Sequence, residues 1–213
     1  MKLLTPRLYC AANCDDIDFI LKYIKSKYPK CRIVATGVSL GGIVLGRYLV
    51  KYGSESLVDA AMLISVCYDL LAGCDSMSKP GLNIALNQHL ARSLCRVVKQ
   101  HREMLEPLDS IDYKEVIKST TLREFDERFT VKMWGFKTTN EYYKEASSKE
   151  KISLIKIPTL CINAADDMFA PIHCKCRQFY DKVFLWKTLF PVRLTNTPPF
   201  VFFLSPQLCP SRK

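Results

Sequence analysis

Cys31-Arg32-Ile33-Val34-Ala35-Thr36-Gly37-Val38-Ser39-Leu40-Gly41-Gly42 is the stretch that decides the fold. Its first six residues are short, apolar and β-branched, the texture of a strand buried in a parallel sheet. Ile43 to Tyr52 reads as a helix ended by Gly53. Between strand and helix, Gly37-Val38-Ser39-Leu40-Gly41 fits the pattern G-x-S-x-G. The pattern alone is weak. A strand before it and a helix after it give it the setting of a nucleophile elbow. So tight a corner strains the backbone of its central residue. The residues two before and two after must be small, because their Cβ atoms would collide, and Gly37 and Gly41 meet that need. Ser39 is then the candidate nucleophile. The N–H of Leu40, opening the helix, is the candidate half of an oxyanion hole.

Working outward, residues 13–28 read as an amphipathic helix. Ile17, Ile20, Leu21, Ile24 and Tyr28 share one face, Asn13 is the expected N-cap, and Pro29 is the stop. A second buried strand is expected around Val58 to Val66 and a third over Ile157 to Asn163. Helix and strand alternate, so the fold class is α/β with a mostly parallel sheet. Residues 75–150 carry helical periodicity, many charges and no convincing strand. We read them as a helical insertion. Leu82, Ala85, Leu86, Leu90, Leu94, Val97 and Val98 mark one long helix in it. Past His173 the texture shifts. Aromatic residues are broken up by Pro191, Pro198, Pro199 and Pro206, and no strand or helix period is expected to persist.

A serine hydroxyl needs a base, and the base needs an orienting acid. The loop after the third strand holds Asp166 and Asp167, closed by Pro171. Asp167 is the favoured acid and Asp166 the alternative. The histidines are His89, His101 and His173. The first two fall within the helical insertion and read as surface or packing residues. His173 follows Asp167 closely in the chain and could act only by folding back beside its own acid loop.

Composition narrows the remaining classes. The chain has 213 residues and a net charge of +10. Residues 174–213 hold seven Lys/Arg against one acid, while the first 173 hold 24 against 20. A nucleic-acid binder builds its basic face into the folded module, so no nucleic-acid partner is expected. No apolar run reaches the roughly 18 residues of a membrane span, and the N-terminus has no signal-peptide core. The 10 cysteines form no paired CxxC units and read as reduced thiols. Cys174 and Cys176 beside His173 lack the second ligand pair of a structural zinc site, so neither metal nor cofactor is expected.

Leu4-Thr5-Pro6-Arg7, Tyr9 to Asn13, Gly37 to Gly42, Thr121-Leu122-Arg123-Glu124-Phe125-Asp126, and Pro158 to Asn163 through Asp167 and Pro171 together resemble the α/β-hydrolase fold. The resemblance is to its branch of abhydrolase-domain lipases and phospholipases with an N-terminal membrane anchor, and it covers roughly residues 3–173. It implies a serine hydrolase of carboxylic esters, acting on acylglycerols or phospholipids, with Ser39 as nucleophile and Asp167 as triad acid. It also implies a partial hydrolase domain over 1–173, with a lid at 75–150 over an acyl pocket. Leu82, Leu86, Leu90 and Met104 are the candidate pocket residues. An atypical apolar, basic, Pro-rich tail follows over 174–213.

The resemblance places a catalytic histidine near Val192 to Thr197, where this chain has none. It also places a His-Gly oxyanion loop and further strands before residue 1. The expectation is therefore a truncated hydrolase product of impaired activity. The alternative is a non-catalytic interaction protein on the same scaffold. The family setting implied is endomembrane. The expectation for this chain is a cytoplasmic or peripheral location, with lipid or a membrane surface as partner.

Overall fold

The computed structural model describes residue 3, residues 5–171 and the backbones of 184–186 and 200–204. Its elements run α1 (Asp15–Lys27), β1 (Val34–Val38), α2 (Leu40–Tyr52), β2 (Ala60–Ile64), α3 (Leu70–Met77), α4 (Leu82–Gln100), α5 (Arg102–Leu105), α6 (Tyr113–Val116) and α7 (Leu122–Phe125). A π-turn (Asp126–Thr130), α8 (Val131–Trp134), α9 (Thr139–Ala146), β3 (Thr159–Ala164), β4 (Phe184–Trp186) and β5 (Phe200–Leu204) follow. The chain divides into two units. One holds residues 11–73 and 146–213 with the sheet. The other holds residues 1–10 and 74–145 and is helical.

In the sheet unit the strand order is β1-β2-β3-β5-β4. β1, β2 and β3 are parallel, with Val38 opposite Ile64 and Ile64 opposite Ile162. β1 starts later than expected and runs to the corner, because Gly37 and Val38 still pair with Leu63 and Ile64. Ahead of it, Cys31 and Ile33 are held by side chains instead. Lys25 Nζ donates to the Cys31 carbonyl (2.7 Å) and Ile33 N–H donates to Asp59 Oδ2 (2.7 Å). The backbone of β5 pairs antiparallel with β3 and with β4. That corrects the expectation of no strand past His173. Phe200 to Leu204 is an uninterrupted aromatic and β-branched run, and prolines bound a strand as readily as they break one. The remaining tail residues, His173, Cys174 and Cys176 included, lie outside the described residues.

α1 also departs from its pattern. Cys14 is the N-cap, and Asn13 Oδ1 instead accepts the Asp15 N–H (2.9 Å). Of the expected apolar face only Leu21 is buried. Ile20 and Tyr28 are exposed, as is Phe19 at 70%.

α2 crosses the end of β1 with almost no clearance. A Cβ on Gly37 would lie 2.6 Å from Gly42 Cα, and one on Gly42 would strike Val66 Cγ2. A Cβ on Gly41 meets nothing within 4 Å. The second residue that must be small is thus Gly42 rather than Gly41. Its neighbour is the turn after β2, which sequence spacing does not reveal.

In the helical unit Cys95, Val98, Leu105, Ile111, Tyr113, Val116, Phe125 and Phe129 form the core. α4 buries Asn87, Ala91, Cys95 and Val98, a stripe rotated from the expected one, and Leu82 is exposed. The rotation follows from Asn87, which is 1% exposed. Its Nδ2 donates to the Met77 carbonyl (3.2 Å) and its Oδ1 accepts from Leu122 N–H (2.8 Å). These bonds tie the ends of α3 and α7 to α4. Asp126 opens the π-turn. It accepts from the hydroxyls of Thr130 (2.6 Å) and Tyr143 (2.9 Å). Burial lifts its carboxyl to about 6 against the pull of those two donors, and burial pushes the Tyr143 phenol far up. Among the described residues no helix is long and apolar enough to cross a membrane.

Two outcomes follow. Gly42→Ala should destabilise the chain by about 1–3 kcal/mol through overpacking against Val66. Gly41→Ala should be neutral or slightly stabilising, because alanine is the better helix former. Denaturant midpoints of the two variants check this. Asp126 holds its proton in the folded chain at a pH where the unfolded chain has lost it. Its contribution to stability therefore grows as pH falls from about 6 toward 4 and is absent above 6. Asp126→Asn should accordingly be more stable than the wild type at pH 7.5, by about 1–3 kcal/mol, and no more stable near pH 4. Thermal melts at the two pH values read the difference; a variant weaker at both would refute it.

Candidate active site

Ser39 is the hinge between β1 and α2. Its backbone sits at φ 50°, ψ −119°, in the left-handed half of conformational space that a residue with a Cβ rarely enters. Strain of this kind costs on the order of 1–3 kcal/mol and persists only where the surroundings impose it. Here its N–H donates to the Ile64 carbonyl (2.9 Å) and its carbonyl accepts the first α2 bond from Ile43 N–H (3.1 Å). The residue is exposed. Leu40 follows as the first residue of α2, where helical N–H groups have no intrahelical acceptor and no side chain caps them.

The parallel register brings the ends of β1, β2 and β3 to one edge of the sheet. β1 and β3 are separated by β2 alone, two strand spacings or about 10 Å. Asp167 lies three residues past β3. Its Oδ1 accepts N–H bonds from Phe169 (2.9 Å) and Ala170 (3.3 Å), a local turn that fixes the carboxylate. Asp167 is half-buried and Asp166 exposed. His89 is exposed on α4, and His101 caps the end of that helix, both in the helical unit. His173 lies outside the described residues. Leu86 and Leu90 are half-buried, whereas Leu82 and Met104 are exposed.

Three residues of this edge escaped sequence reasoning. Ser65, just past β2, also has positive φ (51°), and its N–H donates to the Ile162 carbonyl (2.7 Å). Asn163, 1% exposed, donates from Nδ2 to the Val66 carbonyl (3.0 Å), lacing the turn after β2 to the root of the acid loop. Its Oδ1 is buried with no partner among the described residues. Gly73 of α3 lets that loop approach, since a Cβ there would lie 2.8 Å from the Phe169 carbonyl oxygen. Gly73, a glycine inside a helical pattern, was the one legible signal. A Lys149–Asp69 ion pair (2.9 Å) holds the start of α3 to the segment before β3. Burial works to raise the Asp69 carboxyl. The Lys149 ammonium and the Ala72 and Leu71 N–H groups outweigh it and keep it below the usual range. Among the described residues no cluster of His, Cys, Asp and Glu could hold a metal ion.

Comparison with known proteins finds relatives over most of the chain. The chain is 40% identical over 171 residues to phospholipase ABHD3 of Mus musculus, covering 80% of this chain and 41% of that protein. It is 36% identical over 174 residues to protein abhd-3.2 of Caenorhabditis elegans, covering 82% and 46%. It is 30% identical over 171 residues to the monoacylglycerol lipase of Saccharomyces cerevisiae, covering 78% and 38%. The chain thus spans about two fifths of the length of the curated relatives it matches. No family model and no solved structure matches it. The strand–serine–helix corner, together with the identity to relatives of this kind along four fifths of the chain, makes the chain a member of the α/β-hydrolase superfamily.

Proposed function

We propose that the chain is a serine hydrolase of the carboxylic-ester class, acting on acylglycerol or phospholipid esters. The observation that carries this reading is the left-handed backbone of Ser39, held at the β1–α2 corner by the bond to Ile64. An exposed hydroxyl placed to meet an incoming carbonyl accounts for a serine, rather than glycine, at a position that glycine would occupy without strain.

In this reading Ser39 Oγ attacks the ester carbonyl, giving a tetrahedral oxyanion. The Leu40 N–H, at the positive end of α2, donates to that oxygen. Collapse expels the alcohol and leaves an acyl-enzyme, which water then hydrolyses. Asp167, whose turn engages only Oδ1 among the described residues, is the acid for an imidazole base that takes the Ser39 proton, and His173 is the histidine nearest to it in the chain. Residues 75–150 serve as the lid over the acyl chain, and the setting is a membrane surface that supplies lipid. The names of the relatives, a phospholipase and a monoacylglycerol lipase, support the substrate class.

Two measurements test this. A fluorophosphonate probe should label the chain and fail to label Ser39→Ala, and p-nitrophenyl butyrate turnover should vanish with that variant. A chain that stays unlabelled would overturn the enzyme reading in favour of a non-catalytic interaction scaffold. Asp167→Asn should lower turnover by about 10²- to 10⁴-fold with Ser39 labelling slowed in parallel, while Asp166→Asn stays within about twofold.

A further inference from the structure

The helical unit contains a second polar site, remote in sequence from Ser39. A cleft of about 580 Å³ opens among α6, α7, the π-turn, α8 and the start of α9. That volume suits a small organic ligand rather than a bare ion. Four acids and four bases line it, so its formal charge is balanced. The local bonds break that balance.

Three of the acids are already engaged. Asp112 Oδ1 accepts the Glu115 N–H (3.1 Å) as the cap of α6. Glu115 is paired with Lys118 (2.7 Å). Glu124 accepts from the N–H and hydroxyl of Thr120 (2.8 and 3.0 Å) and faces Arg128 (3.7 Å). Only Glu127 is without such a partner among the described residues. On the basic side Lys132 and Lys137 have no carboxylate partner among the described residues, and both are exposed. Arg123 donates to Asn140 Oδ1 (2.9 Å), a neutral acceptor that leaves its charge uncompensated. Asp112 keeps its charge, because its partner is a neutral N–H, so three cations face two acids and the cleft is left with one positive charge.

Hydroxyls complete the lining. Thr138 Oγ1 accepts the Glu141 N–H (3.1 Å), so its own proton is free to donate, and Thr139 follows on the same rim. Three cations with no carboxylate partner among the described residues, beside hydroxyl donors, match an oxyanion with several acceptor oxygens on a polar stem. We propose that this cleft binds a phosphate monoester, with Arg123, Lys132 and Lys137 on the phosphate oxygens and the threonine hydroxyls on the stem. The proposal goes beyond the hydrolase reading and does not rest on it.

Titration calorimetry of the full chain with sn-glycerol 3-phosphate, and separately with inorganic phosphate, tests it. The expected result is saturable binding that is tighter for the ester and weakened at least about tenfold in Lys132→Glu/Lys137→Glu. It should weaken with added salt and be unchanged in Ser39→Ala. The source of the phosphate is read in a second arm. Sedimentation with phosphatidylcholine vesicles containing phosphatidic acid, without binding of the soluble ester and lost in the same variant, assigns the cleft to a lipid head group. Circular dichroism checks that the variant is folded, and Lys132→Gln/Lys137→Gln replaces it where it is not. No saturable binding in either arm, or binding equal in wild type and variant, would overturn the proposal.

Discussion

The constraint that shapes the sheet unit's corner is the approach of Gly37 to Gly42. With no Cβ on either residue, the start of α2 lies against the end of β1, and the chain reverses from strand to helix over a single residue. That residue has no room to relax. Its N–H is taken by the Ile64 carbonyl and its carbonyl by the Ile43 N–H, so Ser39 is pinned from both sides in a backbone conformation it would not choose. Strain at one position is thus sustained by packing at two others. The side chain is forced outward, at the open N-terminus of a helix whose first N–H groups have no acceptor.

Everything else at this edge follows from parallel pairing. Parallel strands end on the same side, which is where α/β sheets gather their ligands. Here the ends are also laced together. Ser65 donates across to β3, Asn163 reaches back to Val66, and Gly73 admits the Phe169 carbonyl against α3. Val66 takes part twice, as the side chain that excludes a Cβ at Gly42 and as the carbonyl that Asn163 holds. The Ser39 corner and the Asp167 loop are therefore connected through the turn after β2.

The parts legible in the sequence were those set by local physics. A β-branched run, a glycine-flanked serine and a following apolar helix place Ser39 without any knowledge of distant residues. The acid loop was legible in the same way, from its position after a strand. What stayed hidden depends on partners far along the chain. Gly42 rather than Gly41 is the tight position because of Val66. α4 turns Asn87 inward because Met77 and Leu122 offer it an acceptor and a donor, which no hydropathy pattern counts. β5 is hidden because prolines that bound a strand, here Pro199 and Pro206, look the same in sequence as prolines that break one. The exposed Ile20 and Tyr28 of α1 show the converse, residues of the expected apolar face that this unit leaves in solvent.

The helical unit has a different internal economy. Its core is apolar, yet its elements are short, and α5, α6, α7 and α8 each span only four residues. Helices of one turn are not stable on their own. They are held by side chains standing in for missing backbone partners: Asp112 and Thr121 cap α6 and α7, Asn87 receives the Leu122 N–H, and Asp126 gathers two hydroxyls. A half-buried carboxylate with no cation paired to it among the described residues opposes folding at neutral pH, so Asp126 is not explained by stability. What it does supply is direction. Its two oxygens bind the π-turn at Thr130 and α9 at Tyr143, and α7, the π-turn and the first residues of α9 all line the polar cleft. An apolar residue there would pack but would fix neither the π-turn nor the phenol. The acid is best understood as the brace that sets the geometry of that cleft's rim, at a price in stability that the apolar core beneath it offsets.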